Sequence, residues 1–343
     1  MRTVASDGHR SHHSIELDRG RLVPSWEGPE RADRVRAAVA DADLGPIVEP
    51  EPLDRELLGR VHVPVYVEFV EGAWDRWVTE GYEAPGAMGI AWPGRRTGRR
   101  RPDDLLGQLG YHSFAADCSI VAGTWAAAAS SAAVAQTAAQ YVADGERTAF
   151  ALCRPPGHHA MSDQFGGYCY LNNAAVAAQL LVEGGADRVA ILDLDHHHGN
   201  GTQDIFFARS DVAFCSLHAD PRSRFPWFLG HADERGAGAG DGYSRNLPLP
   251  PGTRVAAWRE ALETGLAWLR PLGIDALVVS LGVDTYVDDP ISDCGLATSD
   301  NPPIGRRLAG ADLPTVFVME GGYATDALGP NVVGVLEGFL QDA

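Results

Sequence analysis

The sequence predicts an α/β fold in a single domain, with a mostly parallel sheet flanked by helices on both faces. Two observations carry this expectation: short runs that are apolar throughout, and longer helical patterns that alternate with them along the chain. A strand covered on both faces has no polar side to present, so it reads as a continuous apolar run. The order strand, helix, strand implies parallel pairing, because the intervening helix carries the chain back across the sheet.

From the N-terminus, the first helical pattern is Pro29–Ala42 and the second is Ser119–Val142. The apolar run Arg147–Leu152 is the first strand. Helix Asn172–Glu183 leads to strand Arg188–Leu194, and strand Val212–Leu217 follows. Then come helix Arg254–Leu272, strand Ala276–Leu281, strand Thr315–Met319 and helix Asp326–Gln341. Two stretches read as long loops. Gly81–Gly110 is rich in Gly, Pro and Arg. Ala219–Asn246 holds R-G-A-G-A-G-D-G, but no strand-to-helix turn frames those glycines as a phosphate cradle. No repeat or linker divides the chain, which gives one domain over residues 1–343 with a loop insertion at about 81–110.

With 343 residues and 45% hydrophobic content, the chain can bury a large core. Lys and Arg number 28 against 46 Asp and Glu, a net charge of −18. Such a surface repels nucleic acid and attracts cations, so a cationic small molecule suits it better than DNA or RNA. The basic run R-R-T-G-R-R-R-P within the 81–110 loop therefore reads as a surface loop or partner contact. Five scattered cysteines with no C-x-x-C exclude a disulfide framework and a cysteine zinc site, and fit a reducing cytoplasm. The N-terminus lacks the apolar stretch of a signal peptide, and no run is long enough to span a membrane.

The chemistry lies where apolar strands end. In I-L-D-L-D-H-H-H-G-N-G (191–201), side-chain alternation puts Asp193, Asp195 and His197 on one face, with His196 and His198 on the other. Asp195 and His197 can then chelate one metal at the strand's C-terminal end, where open α/β sheets bind ligands. Gly199-Asn200-Gly201 reads as a tight turn. Asp284 in S-L-G-V-D-T-Y, just past another apolar strand, is the candidate third ligand. Two carboxylates and one imidazole suit a divalent metal with a position left open for water. In R-P-P-G-H-H, a rigid turn presents His158 and His159 to one cleft, where their natural work is proton transfer. In M-E-G-G-Y, two glycines free the backbone to present Tyr323, whose phenol can donate to a carbonyl oxygen as it gains charge.

Together these segments resemble the histone deacetylase superfamily, and within it the acetylpolyamine amidohydrolases. The likeness includes R-P-P-G-H-H, F-G-G-Y-C-Y-L-N-N-A-A-V-A-A (165–178), D-L-D-H-H-H-G-N-G-T-Q, S-L-H (216–218), L-G-V-D and E-G-G-Y. It implies an arginase/deacetylase-like fold and hydrolysis of an acetamide to an amine and acetate. Asp195, His197 and Asp284 would hold one Zn2+, with Fe2+ or Co2+ compatible with the same donors. His158 and His159 would be the acid/base pair, oriented by Asp193 and Asn200, and Tyr323 would polarise the carbonyl. Many members of the family carry aspartate where Asn200 stands; an uncharged partner leaves His159 less basic. The resemblance also places Gly167, Tyr168 and Phe225 as tunnel walls and a structural K+ near Asp193, Asp195, His197, Ser216 and Leu217. His196 departs from the family's apolar or aromatic residue there and is expected to pack away from the metal.

The 81–110 insertion resembles the loop through which polyamine deacetylases dimerise, which narrows the entrance. A homodimer and a cationic acetylated small molecule, an N-acetylated polyamine or diamine, are therefore expected. Asp117 is the favoured receptor for its distal ammonium, ahead of Asp103, Asp104 and Glu16. Four rivals remain: a protein acetyl-lysine deacetylase sharing every catalytic group, a two-metal ureohydrolase, a Cys169–His158 hydrolase, and a non-catalytic binding protein.

Overall fold

Every expected apolar run becomes a strand of one sheet. In chain order the strands are β1 (Arg2–Val4), β2 (Ile15–Asp18), β3 (Arg21–Pro24), β4 (Ile47–Val48), β5 (Thr148–Ala151), β6 (Val189–Asp193), β7 (Val212–Ala219), β8 (Ser244–Leu249), β9 (Ala276–Leu281) and β10 (Thr315–Met319). Eight pair in the order β4-β1-β5-β10-β9-β6-β7-β8, every pairing parallel. The hairpin of β2 and β3 stands apart. The computed structural model describes residues 1–83, 85–96 and 98–342; Ala84 and Thr97, both inside the expected 81–110 loop, and Ala343 lie outside the described residues.

Ten helices cover the sheet among the described residues: α1 (Glu30–Asp41), α2 (Arg55–Val61), α3 (Pro64–Thr79), α4 (Leu105–Tyr111), α5 (Thr124–Ala143), α6 (Asn173–Glu183), α7 (Asn200–Phe206), α8 (Val255–Leu269), α9 (Asn301–Ala309) and α10 (Thr325–Asp342). Cover on both faces is why β5, β6, β7, β9 and β10 are buried at every position. The edge strand β8 is only half-buried over much of its length and carries Pro248, a residue that edge strands tolerate because one side of the ladder is unpaired. Small residues along α5 and α6 let the two helices pack closely.

Several boundaries differ from expectation. The helix expected from Ser119 starts at Thr124, because Ile120 pairs with Ala87 and the Ser119 hydroxyl accepts the Ile15 N–H. The 81–110 stretch is not loop throughout: α4 begins at Leu105, where the Asp104 carboxylate caps the N–H groups of Leu106 and Gly107. Asp104 is therefore occupied away from the proposed site. The expected turn at Asn200 is instead the first residue of α7, and the 219–246 loop ends early in β8.

The topology gathers the chemistry. The four motif-bearing strands β5, β10, β9 and β6 are adjacent at the middle of the sheet. The chain reverses its spatial progression there, and in open α/β sheets the crevice beyond such strand ends is where ligands bind.

Candidate active site

Beyond the ends of β6 and β9, Asp195, His197 and Asp284 bring one donor atom each within 4.8 Å of the others. His197 Nδ1 lies 2.9 Å from Asp284 Oδ2 and 3.3 Å from Asp195 Oδ1. Strand β6 stops at Asp193, so pleat alternation does not bring Asp195 and His197 together. Backbone bonds do. Gly321 N–H donates to Asp195 Oδ2 (2.8 Å) and His196 N–H to Asp284 Oδ1 (2.8 Å). Two glycines make room for this approach: a Cβ on Gly282 would stand 2.1 Å from Asp195 Oδ2, and one on Gly321 2.5 Å from the same oxygen.

Charge at this point is strained without a cation. Burial, then the nearby Asp195 charge, push Asp284 up to about 8. Burial alone would lower His197, but its bonds to Asp195 and Asp284 outweigh that and hold it up to about 10. Two buried carboxylates thus compete for one positive charge. A divalent ion on these three donors would meet that demand, and the O,N,O donor set suits it.

The tandem histidines follow β5. His158 Nδ1–H donates to Asp193 Oδ2 (3.0 Å), while its Nε2 stands 3.8 Å from Asp195 Oδ2. Burial opposes charge on His158, yet Asp195 and Asp193 hold it up to about 10. His159 differs: Nδ1–H donates to Asn200 Oδ1 at 2.6 Å, and burial with the charges of His158 and His197 drives its basicity well down. One histidine is thus set as a proton carrier and its neighbour as a neutral base.

A cavity of about 210 Å³ opens onto these groups, lined by Asp117, His159, Gly167, Tyr168, His197, Phe225, Ile291 and Tyr323. The expected wall residues Gly167, Tyr168 and Phe225 and the expected receptor Asp117 all face it. Gly167 and Tyr168 are both left-handed (φ +58° and +62°), and a Cβ on Gly167 would stand 2.2 Å from the His159 ring. Asp117 Oδ1 accepts Gly167 N–H (2.9 Å), and Glu16 Oε2 accepts the Tyr168 hydroxyl (2.5 Å). Burial raises Asp117 to about 6. Burial, opposed by the Tyr168 bond and reinforced by Asp117, raises Glu16 to about 7. Phe225 stands edge-on to His159 with ring centres 5.1 Å apart.

Tyr323 is 8% exposed, its ring 5.7 Å from that of Tyr168. The Arg31 guanidinium lies over the Tyr323 ring at 4.7 Å and donates to the carbonyls of Glu320 and Gly322. Burial raises the Tyr323 phenol well above its usual range, so it stays protonated. His196 turns away from the three donors; its Nε2 is 3.4 Å from Asp293 Oδ1, beside a small cavity with Leu217, His218 and Trp258.

Sequence reasoning missed Ile291, Glu320, Arg31 and Asp289. Glu320 Oε2 accepts Gly157 N–H and His158 N–H, so it fixes the turn that carries the histidines. A second cluster of possible donors, His158, Cys169 and Glu320, meets here as well. Its atoms are already engaged: Glu320 Oε1 takes the Ser280 hydroxyl and Cys169 Sγ–H donates to Gly167 O. Burial pushes the Cys169 thiol well up, the reverse of what a cysteine nucleophile needs.

A sequence model of the histone deacetylase domain matches residues 25–339. The chain belongs to that family. It is 51% identical over 342 residues to acetylpolyamine amidohydrolase 1 of Pseudomonas aeruginosa, covering 99% of each chain. To the acetylpolyamine amidohydrolase of Mycoplana ramosa it is 49% identical over 339 residues, covering 98% of this chain and 99% of that one. A crystal structure of acetylpolyamine aminohydrolase from Burkholderia pseudomallei superposes with a TM-score of 0.92 at 41% identity, covering 100% and 99% of the two chains. The deacetylase-type α/β architecture is therefore established, and the chain is a deacetylase-family amidohydrolase. No helix among the described residues is long and apolar enough to cross a membrane.

Proposed function

We propose that this chain hydrolyses the acetamide of N-acetylated polyamines or short acetylated diamines, releasing acetate and the free amine. The observation that carries the reading is the cavity: it reaches His197 and Tyr323, passes the carboxylate of Asp117, and has no Lys or Arg among its lining residues. A substrate ammonium would give Asp117 the partner a buried carboxylate requires.

In this reading Asp195, His197 and Asp284 hold one divalent cation, proposed as Zn2+, with Fe2+ or Co2+ suited to the same donors. When bound, that ion supplies Lewis acidity and lowers the pKa of the attacking water. His159, with Nδ1–H committed to Asn200, offers the lone pair of Nε2 and takes the water's proton. His158, held charged by Asp193 and Asp195, gives a proton to the leaving amine. The Tyr323 hydroxyl donates to the carbonyl oxygen as it becomes an oxyanion. Gly167, Tyr168, Phe225 and Ile291 confine the chain between acetamide and amine and exclude water.

A structural K+ is proposed in the oxygen-rich turn of Asp193, Asp195, His197, Ser216 and Leu217; Asp193 and Ser216 are register partners across β6 and β7. The whole chain, 1–343, is proposed as one domain, supported by β1 pairing with β5 and by α1 packing on α10. A homodimer through the 81–110 loop is supported by the exposure of Ile90 (73%) and Trp92 (40%) there, and sedimentation of the purified protein would test it. Unpaired, buried thiols at all five cysteines support a reducing cytoplasm.

The experiment is a kinetic panel of acetylputrescine, acetylcadaverine, acetylspermidine and an acetyl-lysine peptide. The acetylated amines should lead the peptide by about tenfold or more in kcat/KM, the scale of one well-placed ion pair. A preference for the peptide would transfer the assignment to protein deacetylation.

A further inference from the structure

Asp289 lies in the turn between β9 and α9, five positions after Asp284, and is 6% exposed. It does not line the cavity. Among the described residues no cationic side chain pairs with it; its oxygens are used on backbone instead. Oδ2 accepts Tyr323 N–H at 2.7 Å and Ala324 N–H at 3.3 Å, while Oδ1 accepts Ile291 N–H at 3.1 Å. A single buried carboxylate thus ties the tyrosine of E-G-G-Y to a wall residue of the tunnel.

The remainder of that turn is held by other groups. Asp195 takes Gly321 N–H, and Arg31 takes the carbonyls of Glu320 and Gly322. Gly322 is in a conformation open to glycine (φ +132°) with its carbonyl held by Arg31, so these bonds anchor the turn as far as residue 322 and Asp289 continues the anchoring at residues 323 and 324. The Tyr323 ring has contacts from Arg31 and Tyr168, but among the described residues no hydrogen bond locates its hydroxyl. A donor to a developing oxyanion must be placed within tenths of an ångström, and here backbone anchoring has to supply much of that precision.

We propose that Asp289 is a positioning residue for the reaction: it fixes the Tyr323 backbone against the Ile291 wall, so that the phenol meets the carbonyl oxygen. The inference rests on Tyr323 being the oxyanion donor. Asp289 acts through Tyr323 and touches no reacting atom. An apolar replacement frees the amides of residues 291, 323 and 324. An amide replacement keeps one acceptor oxygen for 323 and 324 and turns its NH2 towards Ile291 N–H, so it releases the wall alone.

The test uses the metal-loaded enzyme and an N-acetylated diamine. Asp289→Ala should lower kcat about 10- to 100-fold, a sizeable part of one oxyanion donor's worth, with KM within about threefold of wild type. Asp289→Asn should recover most of that loss. In a Tyr323→Phe background the same Ala change should cost less than about threefold, since the two residues act as a unit. Hydrogen exchange at amides 323 and 324 should speed up in Asp289→Ala and be largely restored in Asp289→Asn, with or without metal. An equal factor in both backgrounds, loss of bound metal, or unchanged exchange would overturn the proposal. If the Ala variant does not fold, Asp289→Glu keeps the charge but displaces the acceptor; wild-type kcat in that variant would equally overturn it. Should Tyr323→Phe alone keep normal turnover, the tyrosine's own role fails, and exchange at 323 still reports separately whether Asp289 holds the turn.

Discussion

Replacing Asn200 with Asp should move the pH profile of the enzyme upward, because it adds a charge beside His159 at the cost of one long bond, from Asn200 Nδ2–H to His159 O (3.4 Å). Asn200 is fully buried, and its Oδ1 accepts the His159 Nδ1–H at 2.6 Å. A carboxylate there would stand about 4 Å from the centre of an imidazolium, worth about 4 kcal/mol at an effective dielectric near 20, or about three pKa units. The neighbouring ring shows the direction: His158, which faces the carboxylate of Asp195 and bonds that of Asp193, is held up to about 10, whereas burial and the charges of His158 and His197 drive His159 well below its usual value. In the proposed reaction His159 is the neutral base, so raising its pKa would move the acid limb of kcat/KM to higher pH. The measurement is kcat/KM on acetylputrescine from pH 5 to 9, with Asn200→Ala beside it. We expect an upward shift of at least about one unit for Asp, allowing for screening by the bound ion, and lower kcat without an upward shift for Ala. An acid limb that stays in place, or falls, would refute His159 as the base.

Asp284→Ala should leave less than stoichiometric metal after dialysis, because one of three donors is lost, and chelation should abolish wild-type turnover; full metal in that variant would refute the ligand set. Tyr323→Phe should retain metal and lose turnover by about 10²–10³, read as kcat. Asp117→Asn should raise KM for acetylated diamines about tenfold and leave a neutral N-alkylacetamide unaffected; equal effects on both would mean that Asp117 only supports Gly167. Glu16 is the case for stability. Its folded pKa of about 7 exceeds the ordinary 4.5, so the folded protein binds the extra proton between these values and stability falls as pH rises from 4.5 to 7. Glu16→Gln should remove a decline on the order of 1–3 kcal/mol, measured by denaturant unfolding of metal-free protein at pH 5 and 7.5. The same decline in the Gln variant would place its source elsewhere.

The interior of the sheet was readable because burial on both faces writes itself as an unbroken apolar run. Ala276–Leu281 and Thr315–Met319 are strands with the expected ends. Strands β1 and β4, of three and two residues, are too short to carry any pattern. Helix α3 could have been read: Tyr66, Phe69, Val70, Ala73 and Trp77 fall on one buried face at helical spacing. Likewise Asp104, just before an apolar turn, carries a cap signal.

By itself the sequence determined which side chains could do chemistry here, since D-L-D-H-H-H, G-V-D, G-H-H and G-G-Y each follow an apolar strand and strand ends point to one rim. Which groups support them was decided only in the folded chain. Glu320 reaches back 163 positions to Gly157, Glu16 meets Tyr168 across 152, and Asp289 meets Tyr323 across 34. Local patterning reflects only how a segment meets solvent or its immediate neighbours. Contacts that set charge and position to within tenths of an ångström come from segments distant in the chain that the fold brings together, and no local signal encodes them.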